Sequence, residues 1–191
     1  MFILAVRCLA VFLLGLMMGV VAAFIVPLVV DVLPGYSIEG FLESLQENNS
    51  VDGLPWLFPG AYASYKAYGR SVFDQTEFIM TIRVEEVEGD FAVLSISSES
   101  FTWTFPVDLS RKEAVIESMA TGLLGEAPET YSTDTYNTVF GPRSVIVASA
   151  GDKVVFIDSK ALWPLAYAES NPDMQAMLIA EITNDTNIDI S

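Results

Sequence analysis

An apolar run opens the chain, and the hydrophobic period then changes twice. Cys8 to Val30 is 23 consecutive residues without a charge, and a helix of that length, at about 1.5 Å per residue, covers the roughly 30 Å hydrocarbon layer of a bilayer. This predicts a transmembrane anchor within residues 1–33, ended by Pro34-Gly35. Gly15 and Gly19 lie four apart on that helix, a small-residue face at which a second membrane helix can approach closely. Behind Ser37, the residues Ile38, Phe41, Leu42 and Leu45 recur at helical spacing, which predicts a short amphipathic helix and linker over residues 34–53. The polar face of that helix carries Glu39, Glu43 and Glu47 and no base, so packing on protein is expected rather than lying on a lipid surface.

From Gly60 the period becomes two. Phe78, Met80, Ile82 and Val84 alternate with Glu77, Thr81, Arg83 and Glu85, with Ile79 interrupting the polar face; this is the pattern of a half-buried strand. Glu88-Gly89-Asp90 turns the chain into Phe91 to Ser98, and Phe101, Trp103 and Phe105 then interleave with Thr102 and Thr104, so the segment reads as a meander. Before it, Ala61 to Tyr68 reads as another strand, although Tyr62, Tyr65 and Tyr68 are spaced by three, which also suits a helix. Ser110-Arg111-Lys112-Glu113 fits a capping box, Leu109 and Ala114 fit a hydrophobic staple, and Gly125 fits a stop, so one helix interrupts the strands. Thr130 to Phe140, Ser144 to Ser149 and Val154 to Asp158 read as three more strands around Gly141-Pro142 and Ala150-Gly151-Asp152-Lys153. Met174 to Thr183 suits either a helix, by its Met and Ala, or a last strand, by Met177, Ile179 and Ile182, and the strand is the assignment taken. The expected class is α+β, mainly β, with the β-rich part forming one domain over residues 54–191.

Charge places that domain outside the cytoplasm. All 25 acidic residues lie at or after Asp31, against 8 basic ones there. Phosphate is repelled by such a chain, so nucleic acid is not expected as a partner, and membrane lipid is expected to be met through the N-terminal helix rather than through basic patches. Arg7 and the amino terminus precede the apolar run, while no Lys or Arg follows it until Lys66; the bias favours N-inside, C-outside insertion. Val21-Ala22-Ala23 leaves a cleaved signal peptide as the competing reading, which also exports the domain. The single cysteine, Cys8, lies within the apolar run behind Ala5-Val6-Arg7, which is not a lipoprotein signal.

The available chemistry is narrow. The chain has no histidine and no cysteine beyond Cys8, which removes the usual general base, the Ser-His and Cys-His nucleophile systems, and imidazole or thiolate metal sites. No catalytic residues, cofactor or metal are therefore expected. Asp185, Asn187 and Asp189 open like a calcium loop, but Ile190 stands where glycine is required and the distal Glu is missing, so a frayed acidic tail is expected instead. Asn48-Asn49-Ser50 and Asn184-Asp185-Thr186 are glycosylation sequons that fit exposed loops. Aromatic residues are the remaining candidates: Trp56, Phe58, Trp103 and Trp163 suit either the wall of an apolar site or a β core, with the core favoured.

Two stretches carry a resemblance: Leu54-Pro55-Trp56-Leu57-Phe58-Pro59-Gly60-Ala61-Tyr62 with Tyr65, and Val155-Phe156-Ile157-Asp158 followed by Leu162-Trp163-Pro164-Leu165. They resemble membrane-anchored archaeal surface proteins of unknown function and, more distantly, lipoprotein-carrier-like half-barrels. The resemblance implies a curved antiparallel sheet or half-barrel with one or two helices, able to hold an apolar ligand. Two functions follow as expectations: a non-catalytic binding or structural module, as an accessory subunit with a membrane-protein partner, and a carrier or sensor of lipid or another apolar ligand. A carboxylate-dependent hydrolase is the third reading, and no pair among the carboxylates stands out for it.

Overall fold

The computed structural model describes residues 51–70, 75–171 and 176–190. The apolar run with Gly15 and Gly19, the amphipathic helix from Ile38 and the sequon at Asn48 lie outside these residues. Among the described residues no helix is long and apolar enough to cross a membrane.

Among the described residues, nine strands and one helix follow in order: β1 (Tyr62–Arg70), β2 (Gln75–Glu88), β3 (Phe91–Ser97), β4 (Thr102–Asp108), α1 (Lys112–Leu124), β5 (Thr130–Thr138), β6 (Gly141–Ala150), β7 (Lys153–Asp158), β8 (Pro164–Asn171) and β9 (Ala176–Thr186). The strands form one sheet in the order β4-β3-β2-β1-β9-β8-β7-β6-β5. The chain thus runs outward from β1 to β4, crosses by α1 to the far edge, and returns strand by strand until β9 pairs antiparallel with β1.

The sheet curls around α1, and geometry requires it to. Six strand spacings separate β4 from β7, about 29 Å in a flat sheet at roughly 4.8 Å each. A 13-residue helix is about 20 Å long and 10–12 Å wide, yet α1 contacts β4, β6 and β7 together. The result is a half-barrel with α1 on its inner face. Register irregularities assist the bending at Val84/Glu86, between β1 and β9 at Ala63/Tyr65, and between β7 and β8 at Phe156/Ile157.

Pairing sets which side chains face inward. Ala63, Tyr65 and Ala67 stand opposite Ile82, Met80 and Phe78 on β2, and Tyr65 and Ala67 stand opposite Ile182 and Ala180 on β9. Ile79, which interrupts the polar face of β2, is an exposed side chain on the outer face.

Four expectations are corrected. The capping box does not form: the N-cap is Arg111, in extended conformation and without a side-chain cap bond. Asp108 takes the Ser110 backbone N–H at 2.8 Å, and this turn moves the helix start on by one residue. The bonds from the Ser110 backbone and hydroxyl hold the Asp108 carboxyl below the usual aspartate range. Second, β8 has no counterpart in the sequence pattern, because Pro164, Leu165 and Ala166 are buried in succession and erase the alternation; proline is tolerated as the first residue of a strand. Third, the acidic tail is not frayed. Ile188 and Ile190 are buried, Asn187 accepts from the Tyr62 backbone N–H at 2.7 Å and donates to the Gly60 carbonyl at 3.1 Å, and Asp185 accepts from the Tyr62 and Ser64 hydroxyls. Fourth, Asn184 lies within β9 rather than in a loop. Gly125 does end the helix, in the left-handed region at φ 78, with its N–H on the Thr121 carbonyl at 2.9 Å.

Candidate ligand cavity

Small side chains at inward positions leave space under the helix. Ala166 on β8 and Ala180 on β9 are such positions, and Tyr167 stands opposite Ala180 on β8. Above them lies a cavity of about 250 Å³ between the inner face of the sheet and the last turn of α1.

The helix end forms one wall and is fixed from two sides. Gly122 meets the Phe105 ring so closely that a Cβ would lie 2.1 Å from it; only glycine lets the helix backbone sit flat on β4 there. Lys153 donates to the Leu124 carbonyl at 2.9 Å and pairs with Glu126 at 3.5 Å, placing a cation at the negative end of the helix dipole.

The opposite wall is apolar, with Met80, Ile82 and Ile96 from β2 and β3 and Val155, Leu178 and Ala180 from β7 and β9. Its two hydroxyls are already used. Tyr65 donates to the Pro164 carbonyl at 2.7 Å, and Tyr167 donates to Glu169 at 2.8 Å. Among the described residues no aspartate, glutamate, lysine or arginine lines the cavity. Phe101 and Trp103 stand at the mouth, 44% and 55% exposed.

The four aromatic candidates separate. Trp103 lines the cavity, Phe58 is exposed and is not part of the lining, and Trp56 and Trp163 are fully buried in the core. The structure brings the two familiar-looking stretches together: the Trp56 and Trp163 rings lie 5.6 Å apart at 54°, and Trp56 Nε1 donates to the Ala161 carbonyl at 2.8 Å. Asp158, not singled out from sequence, organises the same turn. One oxygen accepts from the backbone N–H groups of Lys160 and Ala161 at 2.9 and 2.7 Å, and the other accepts from Arg143 Nε at 2.8 Å. The turn ends at Leu162, whose φ of 51 is unusual for a side-chain-bearing residue. Through Pro164, the Asp158 turn supports the Tyr65 wall of the cavity.

Tyrosines give the domain a defined alkaline limit. Burial pushes the Tyr65 hydroxyl well above its ordinary range, partly offset by the Trp163 indole, which approaches it without making a full hydrogen bond. Burial also raises Tyr131, to about 12, and raises Tyr136 and Tyr167 further, aided by the Glu181 and Glu169 carboxylates that their hydroxyls meet. In each case the folded pKa exceeds the unfolded value near 10, so the unfolded chain loses its proton first. Stability from these groups is therefore complete below about pH 10 and falls as pH rises through the folded values. Thermal melts across this window, read with tyrosinate absorbance, are expected to show the melting temperature dropping only above pH about 10, with unfolding and tyrosine ionisation coincident. Full ionisation of these tyrosines in the still-folded chain would contradict the burial assigned to them.

No family model matches the chain, and no curated protein matches it in sequence. Among solved structures, it is similar to a domain from Vibrio parahaemolyticus described as an outer membrane lipoprotein-sorting protein domain, with 12% identity over 82% of this chain and 93% of that one and a TM-score of 0.30. It is also similar to a DUF1329 family protein from Desulfovibrio piger, with 8% identity over 74% of this chain and 88% of that one and a TM-score of 0.26.

Proposed function

We propose that the half-barrel is an extracytoplasmic, non-catalytic carrier or sensor that holds one small apolar group in the cavity, tethered to the membrane by the run Cys8 to Val30. The observation that carries this reading is the cavity itself: it is open to solvent, apolar in its lining, and has both of its hydroxyls paired within the protein. A charged or strongly polar ligand entering it would lose water and find no charged side chain and no free hydroxyl among the described lining residues to replace it.

Volume narrows the ligand class. About 250 Å³ exceeds the roughly 150 Å³ that accommodates benzene in a dry engineered cavity and lies just below the usual range of about 300–1,000 Å³ for drug-sized ligands. One or two rings, or part of a single acyl chain, fit; a lipid with several chains does not fit whole.

The apolar fluorophore N-phenyl-1-naphthylamine tests this, with its two fused rings in the cavity and its phenyl ring at the open mouth. A ligand at about 100 times its Kd adds about 2.7 kcal/mol to the folded state, which at roughly 2–4 °C per kcal/mol for a domain of this size raises the melting temperature by about 5–10 °C. Leu178→Trp, which fills the cavity from β9, is expected to abolish both the shift and the brightening of the probe. An unchanged melting temperature at saturating probe would defeat the proposal.

A further inference from the structure

Phe101 and Trp103 stand in water although nothing in the core requires it. They are two residues apart at the start of β4, so both rings share one face of the β3–β4 hairpin and both reach the cavity mouth. The hairpin fixes the backbone that carries them: Ser98 N–H donates to the Phe101 carbonyl at 2.9 Å, Ser100 N–H donates to Ser98 Oγ at 3.3 Å, and Trp103 pairs with Ile96 on β3. Single exposed apolar residues are ordinary on a protein surface, but a fixed Phe-Trp pair continuous with an apolar cavity is a patch.

We propose that this rim seats on a lipid bilayer of neutral headgroups, with Phe101 and Trp103 in the interfacial layer, so that the apolar occupant passes between cavity and bilayer without crossing water. The inference rests on the apolar-ligand reading above. Tryptophan, with an apolar body and one N–H, favours the headgroup level of a bilayer. Charge selects the kind of bilayer: the hairpin from Ser97 to Phe105 carries Glu99 and no Lys or Arg, and the chain from Asp31 onward has 25 acidic residues against 8 basic. Anionic headgroups repel such a surface, whereas zwitterionic ones do not. An apolar ligand is also scarce in water and abundant in lipid, so a mouth that meets lipid is where exchange is fast.

The full chain reconstituted into phosphatidylcholine vesicles with brominated acyl chains tests this. The chain has three tryptophans, and Trp56 and Trp163 are fully buried, so quenching by bromine reports Trp103. Quenched emission with protection from aqueous iodide is expected, and Trp103→Phe should remove the quenched component. Phe101→Ser should reduce the docking equilibrium constant about fivefold, by loss of roughly half a phenyl burial. Emission that iodide quenches freely and brominated lipid does not would overturn the proposal. So would quenching seen only when phosphatidylglycerol replaces phosphatidylcholine, and so would protection from iodide without bromine quenching, which would assign the rim to a protein partner. Failure of N-phenyl-1-naphthylamine to bind, with bromine quenching retained, would remove the cavity reading and leave the docking surface, so the two failures are distinguishable.

Discussion

Asp158→Ala is expected to destabilise the domain by about 3–5 kcal/mol, the usual cost of removing one partner from a buried ion pair. Asp158 is 1% exposed and Arg143 15% exposed at the side chain, so the arginine left behind has little water to replace the carboxylate. The Lys160 and Ala161 N–H groups lose their acceptor in the same step, and a buried unpaired donor adds about 1–3 kcal/mol when it cannot find water. At roughly 2–4 °C per kcal/mol the melting temperature should fall by about 10 °C or more. Asp158→Asn keeps one oxygen for the turn but gives up the charge and the second acceptor that Arg143 Nε uses, so its loss should be smaller than that of alanine. Thermal and urea unfolding of both variants checks the order. A loss below about 1 kcal/mol for the alanine variant would show that the turn is not held by this carboxylate.

Trp56→Ala is the second large loss, at about 3–5 kcal/mol for truncating a fully buried tryptophan. The indole supplies a ring against Trp163 and a proton to the Ala161 carbonyl, so Trp56→Phe separates the two contributions: it keeps most of the packing and forfeits a hydrogen bond worth about 0.5–1.5 kcal/mol net. Because Trp56 and Trp163 touch, the double alanine variant should lose less than the two single losses combined. Urea unfolding of Trp56→Ala, Trp56→Phe, Trp163→Ala and the double alanine variant measures these losses. Strict additivity would mean that the two rings do not share one packing site.

The half-barrel was most legible where one face of a strand meets solvent. Phe78 to Val84 on β2 and Phe101 to Phe105 before α1 alternate because the outer face is wet, and their strands lie where that alternation puts them. Legibility failed where both faces are covered: Pro164-Leu165-Ala166 carries no period, so β8 was missed. The capping-box pattern locates the helix to within a residue or two but not its cap, since the Asp108 turn engages the Ser110 backbone and leaves Arg111 as the N-cap. The tail was misjudged because Ile188 and Ile190 are isolated apolar residues among acids, and only the β1 neighbourhood shows that they are buried. Large aromatics are an ambiguous sign of the cavity, since Trp103 lines it while Trp56 and Trp163 belong to the core. The informative signal is the opposite one, alanine at lining positions of two adjacent strands, Ala166 and Ala180, with Gly122 in the helix above. A missing side chain is weak evidence in a sequence because alanine is common in every environment; pairing turns it into a volume.

Native mass spectrometry of the chain purified without delipidation tests the central claim most directly. The account predicts a population carrying a single small apolar adduct, displaced by N-phenyl-1-naphthylamine and absent from Leu178→Trp. Wild-type and Leu178→Trp chains that are both free of adduct, and that both fail to take up the added probe, would contradict it.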